Sequence, residues 1–308
     1  MSPLKSVGAV LLLVVTFLIV FSVGAQVFLP IELIDRLSTH PSNSAQAAGG
    51  MLVMASLDVI FILGMVVSSR LHGVRLWLLT SAVYWGVKTF TGQLEAWYFM
   101  PTISASMVPA LMAMTLPLAL LVPLLTVVLF GHWKGPVEKI EWQVPPMSLG
   151  EKLGKWVLLS ALVYPVLFFL AGYYIAFSNE DVRAFYGGVY ETSFIQHMRV
   201  LLQSDPVLLP FEILRGVLWV GVGVAVLWTT RGRVVGGLLV VLLFTLVQND
   251  VHLIPNPLMP PVVQRFHFIE TVSSNAVFAV LISWLMSRAH FHASHHGPEA
   301  PRLTDSHA

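Results

Sequence analysis

Four residues of this chain have types and positions that could act together on one substrate: Glu95, His252, His267 and Glu270. His267 and Glu270 are three positions apart, so on a helix both side chains reach the same point. His252 closes the preceding apolar run, and Glu95 lies near the end of an earlier one. Two imidazoles with one or two carboxylates suit zinc or iron with a position left for water. Such an ion lowers the pKa of its water and makes a nucleophile for an ester, amide or phosphate bond. The expected metal ligands are therefore His252, His267 and Glu270, with Glu95 and Glu270 as acid–base groups. The His-x-x-Glu pattern recurs widely and the His-Glu-x-x-His of zinc proteases is absent, so the same residues also read as proton carriers.

Three further polar residues are expected to contact a ligand. Arg215 follows Glu212 by three positions; the pair forms a local salt bridge, or Arg215 offers its planar fork to a phosphate or carboxylate. Ser81, Tyr84, Lys88, Thr91 and Glu95 recur at steps of three or four and predict one polar stripe. Lys88 falls at the depth of Asp58, which predicts an ion pair, with a proton relay or substrate counter-ion as the functional alternative. Asn249 belongs to the run Gln248-Asn249-Asp250-Val251-His252, just before a turn stiffened by Pro255, Pro257, Pro260 and Pro261.

The elements that position these residues are hydrophobic. The chain is 56% hydrophobic and 11% charged, with mean hydropathy +0.79, where soluble domains carry roughly 25% charged residues. Stretches of about twenty apolar residues fall near 7–25, 51–69, 76–99, 104–130, 156–177, 209–229, 234–253 and 265–287. They predict an all-α polytopic transmembrane bundle of about eight spans, one domain over 1–290, with a polar tail at 291–308 that contains histidines. The seventh is the least sharply bounded. Transmembrane β-strands would alternate in polarity, and these runs do not. The absence of cysteine excludes disulfides, thiolate metal sites and thiol catalysis, and a formal charge of +1 gives no reason to expect a nucleic-acid partner.

Eleven of the seventeen basic residues fall on one side if the N-terminus is inside, so the positive-inside rule predicts N-in, C-in and a cytoplasmic tail, in a plasma or inner membrane. A cleaved signal peptide over the first span is the alternative reading. At about 1.5 Å per residue, Glu95, Glu212, Arg215, His267 and Glu270 all lie in the outer half of the bilayer. The 178–208 loop shows helical spacing at Tyr190, Phe194, Met198 and Leu201, as expected for a surface helix, and Arg183–Gly188 reads as a surface turn, with a lid as the alternative. No internal repeat is visible. The expected activity is a membrane-embedded enzyme, metal-dependent if zinc or iron binds, acting on a lipid-like or small-molecule substrate. A proton- or ion-coupled transporter and a non-catalytic scaffold are the alternatives.

Overall fold

The computed structural model describes residues 3–29, 31, 33–35, 44–100, 103–135, 147–187, 193–256 and 258–288. Every expected apolar stretch is helical. Helix α1 is Pro3–Phe28 and α2 is Ser44–Ser68. Helix α3 covers 73–99, with a π turn at Gly86–Thr91, and α4 is Val108–Leu129. Helix α5 covers 149–174, with a π turn at Leu158–Val163. Two short helices, α6 (Glu180–Tyr186) and α7 (Phe194–Ser204), precede α8 (Leu208–Thr229). Helix α9 starts at Arg233, passes into a π turn at Leu243–Val247 and is followed by a 3-10 turn at Asp250–Leu253. Helix α10 is Pro261–Met286. Tyr190, Gly188 and the tail histidines lie outside the described residues.

Among the described residues six helices, α1, α2, α4, α5, α8 and α10, are long and apolar enough to cross a membrane. Helix α3 has the length but carries Arg75, Lys88 and Glu95. Helix α9 is shorter than expected because its regular part stops at Val247 and not near residue 253. Helix α5 starts earlier than its apolar run, because the Ser148 hydroxyl accepts a hydrogen bond from the Glu151 N–H (3.1 Å) and caps the first turn. The expected surface turn at Arg183 is helical: Asn179 Oδ1 accepts from the Asp181 and Val182 N–H groups, and Gly187 at φ 68° ends α6.

Helix α8 occupies the middle of the bundle, in contact with α3, α5, α9 and α10. The core around it is built from Trp219, Tyr84, Phe244, Phe278 and Phe61. Helix α1 packs at the edge, on α2 and α4, and leaves Leu11, Val15, Ile19 and Val23 exposed, an outer face suited to lipid. Helices α8 and α5 meet backbone to backbone: a Cβ on Gly216 would stand 2.5 Å from the Ser160 carbonyl oxygen, within the π turn of α5.

At the end of the bundle where α3 begins, backbone bonds lock the connections. Arg70 N–H donates to Thr229 O (2.9 Å) and Arg231 N–H to Ser68 O (2.7 Å). The rings of His72 and His132 stack there with centroids 5.9 Å apart. Burial, followed by the charges of His72 and Arg231, holds the His132 imidazole below its ordinary pKa.

Candidate functional site

The break at the end of α9 sets the site. A helix end leaves carbonyls without intrahelical donors, and side chains fill that need here. Asn249 Nδ2 donates to Phe244 O (3.3 Å) and Thr245 O (2.8 Å). From α10, Asn275 Nδ2 donates to Phe244 O (3.1 Å); from α3, Lys88 Nζ donates to Val247 O (2.9 Å). Asn249 Oδ1 accepts from Thr271 Oγ1 (2.6 Å). Asn249, expected at a ligand, is therefore engaged on both sides of its amide as a helix cap. The proline turn beyond is tied down by Gln264 Nε2, which donates to the carbonyls of His252 (2.9 Å) and Ile254 (2.7 Å).

Lys88 is the centre of a first buried charge network. Its ammonium bonds Asp58 on α2, at 3.2 Å to Oδ1 and 3.1 Å to Oδ2, and it also bonds Asp250 Oδ1 in the 3-10 turn. Tyr84 donates its hydroxyl to Asp58 Oδ2 at 2.7 Å. Asp58 and Asp250 are 0% and 1% exposed, so two carboxylates share one cation with almost no water to help. The Lys88–Asp58 pair expected from sequence is present. The part played by Asp250 was not evident, because it depends on the chain tightening into a 3-10 turn at Asp250.

Glu95, Arg215 and His267 form a second network. Arg215 Nη1 bonds both oxygens of Glu212, each at 2.9 Å, and Nη2 bonds Glu95 Oε2. The guanidinium carbon lies 5.7, 5.6 and 5.8 Å from the ring centroids of Tyr164, Phe168 and Phe211, so aromatic faces help hold the charge. With both terminal nitrogens taken by carboxylates, Arg215 positions Glu95 more than it offers a fork to an anion. His267 stands between two carboxylates, with Nδ1 at 3.3 Å from Glu270 Oε2 and Nε2 at 3.8 Å from Glu95 Oε1. The Glu270 contact is at hydrogen-bond distance, and the Glu95 contact is a longer ion-pair approach that is charged only when both ring nitrogens carry protons.

The polar stripe expected along α3 divides between these networks. The π turn at Gly86–Thr91 inserts an i→i+5 step and turns the following residues relative to those before it. Tyr84 and Lys88 face α2 and the end of α9, while Glu95 faces α8 and α10. Thr91 is buried and bonds back to Val87 O (2.9 Å).

A cavity lies against the second network, lined by Glu95, Arg215, Gln248, Glu270, Ser274 and Asn275 on its polar side and by Tyr164, Phe168, Trp219 and Phe278 on its aromatic side. About 20 Å³ of it is open to the centres of water-sized molecules, which is room for one or two waters. Three buried atoms of residues lining it, Arg215 Nε, Trp219 Nε1 and Gln248 Oε1, have no hydrogen-bond partner among the described residues. Helix α6 lies against α10, and its Tyr186 packs beside Phe177 and Phe185. Burial, then the charges of Glu270 and Glu95, push its phenol well up from the ordinary value.

Zinc or iron would need three or four side chains converging at about 2.0–2.2 Å from one point. Among the described residues no three His, Asp or Glu side chains do so. His252 instead meets His267 edge to face, with centroids 5.1 Å apart, and its Nδ1 has no partner among the described residues. The donor set does not fit the expected metal centre in this arrangement.

The all-helical bundle and its apolar exterior define an integral, multi-pass membrane protein. Comparison with protein-family models, with curated proteins and with solved structures finds no match to the chain, so the functional reading rests on the site itself.

Proposed function

We propose that this protein is an ion-coupled transporter of a small solute, in which Glu95, His267 and Glu270 carry the coupling cation. The observation that carries the reading is a charge imbalance. Within the two networks, five carboxylates (Asp58, Glu95, Glu212, Asp250 and Glu270) face two permanent cations, Lys88 and Arg215, and one imidazole. Unbalanced charge inside a bilayer costs at least a few kcal/mol per group. Mobile protons or small cations offset it, and groups that gain and lose them are the working parts of ion-coupled transporters. Arg215 keeps Glu95 beside His267, and His267 links Glu95 to Glu270 at the cavity wall. The metal-dependent enzyme reading has weaker support, because no three candidate ligands among the described residues converge on one point.

The test is a flux assay. Purified protein is placed in proteoliposomes loaded with a pH-sensitive dye, and amino acids, sugars, ammonium, sodium and potassium are added in turn. At least one addition should change internal pH in wild type, and Glu270→Gln, which keeps the shape but removes the exchangeable charge, should abolish the change. No response to any addition from folded protein, or an undiminished response in Glu270→Gln, overturns the reading.

A further inference from the structure

The Asp58–Lys88–Asp250 network lies apart from the cavity and has a different balance of partners. Lys88 has three N–H groups, and three acceptors meet them: the Asp58 carboxylate, Val247 O and Asp250 Oδ1. Asp58 is fully served, because its Oδ2 also accepts from the Tyr84 hydroxyl. Asp250 is not. Its Oδ1 is on Lys88, but its Oδ2 is buried and has no hydrogen-bond partner among the described residues. An ionised carboxylate can only accept, and leaving one of its oxygens dry costs the full desolvation of that atom.

We infer that Asp250 Oδ2 carries an exchangeable proton, which makes this network a second cation site: the Asp250 carboxyl holds the proton and Asp58 is the ionised partner of Lys88. The proton balances the count, giving one carboxylate, one ammonium and one neutral acid. It also turns the unpartnered oxygen into a donor, beside the Asp58 carboxylate that shares the Lys88 ammonium with it. A metal cation in place of the proton is disfavoured by position, because the Lys88 ammonium already occupies the point where the acceptors converge. The titratable groups around Asp250 are Lys88, which bonds it, and Asp58 from α2 and Tyr84 from α3, which share that network; His252, two positions on in the same 3-10 turn, faces His267 instead. Lys88 moving from one aspartate to the other would set which of them holds the proton. The use of that proton in coupling rests on the transporter reading; its presence does not.

The experiment is infrared spectroscopy of the protein in a lipid film, read in the carbonyl-stretch region of protonated carboxylic acids and confirmed by its shift in heavy water. At neutral pH in choline buffer, wild type should show such a band, Asp250→Asn should lose it and Glu270→Gln should retain it. Because Asn is a neutral isostere of the protonated acid, Asp250→Asn should also unfold at nearly the wild-type temperature. No band in folded wild type, a band that persists in Asp250→Asn, or a band that disappears when sodium replaces choline overturns the inference, the last by naming sodium as the occupant. A band present without solute-driven flux would instead count against the transporter reading alone.

Discussion

Arg215 of α8 bonds Glu95 of α3, 120 positions away in sequence, while the same guanidinium holds Glu212 one turn earlier on its own helix. The contact ties α3, which contributes to both buried networks, to α8 in the middle of the bundle. It also leaves two carboxylates, Glu95 and Glu212, on one permanent cation, with Glu270 reached through His267.

Removing that cation should be severe. Arg215→Met leaves buried carboxylates without a partner, and breaking a buried pair from one side costs about 3–5 kcal/mol. Thermal unfolding in detergent should show a large loss, and Arg215→Met combined with Glu212→Gln should recover part of it. Strictly additive losses in the double variant would contradict the coupling.

Helix α8 approaches α5 only because residue 216 lacks a side chain. Gly216→Val places carbon against the Ser160 carbonyl and Cα, and such overpacking costs about 1–3 kcal/mol. It should lower the unfolding temperature and reduce flux by displacing Arg215, one position away. Wild-type behaviour in both measurements would show that the close approach is unnecessary.

Much of this arrangement is legible in the sequence. The apolar stretches marked the helices, the i,i+3 spacing of Glu212 and Arg215 marked their pair, and matching depth marked Lys88 with Asp58. What was hidden depends on departures from α-helical geometry that no periodicity records. The π turn at Gly86–Thr91 sends Lys88 and Glu95 to different neighbours, so an apparent single stripe serves two networks. The end of α9 at Val247 brings Asp250 onto Lys88 and makes Asn249 a cap. The closeness of His252, His267, Glu270 and Glu95 was anticipated from depth; the angles between them, which decide whether they can share an ion, were not readable from spacing.

Asn249 separates a cap from a ligand contact. Asn249→Leu removes the donor to Phe244 O and Thr245 O and the acceptor for Thr271, a loss of about 1–3 kcal/mol for buried groups left unpaired. Stability should fall, while the solute concentration giving half-maximal flux stays at the wild-type value in the folded fraction. A large rise in that concentration would assign Asn249 to the solute.

Acid should weaken the end of the bundle where His72 and His132 stack. The folded state holds His132 below its ordinary pKa, so the unfolded chain takes up the proton first as pH falls. Both states are neutral there above about pH 6.5, and the stability contribution present in that range is lost as pH drops below it. Unfolding temperature should therefore decline from about pH 7.5 to pH 5.5, and less steeply in His132→Phe. Equal slopes in the two proteins would remove His132 as a source of the acid sensitivity.

The most direct test of the transport site uses the absence of cysteine from the chain. Ser274 lines the cavity one turn from Glu270, and Ser274→Cys gives a single thiol there. In oriented vesicles, an impermeant thiol reagent should reach that thiol from each side of the membrane in turn, with the ratio shifting as pH changes, as alternating access requires. Labelling from one side only, at every pH and with every solute that drives flux, would contradict the account.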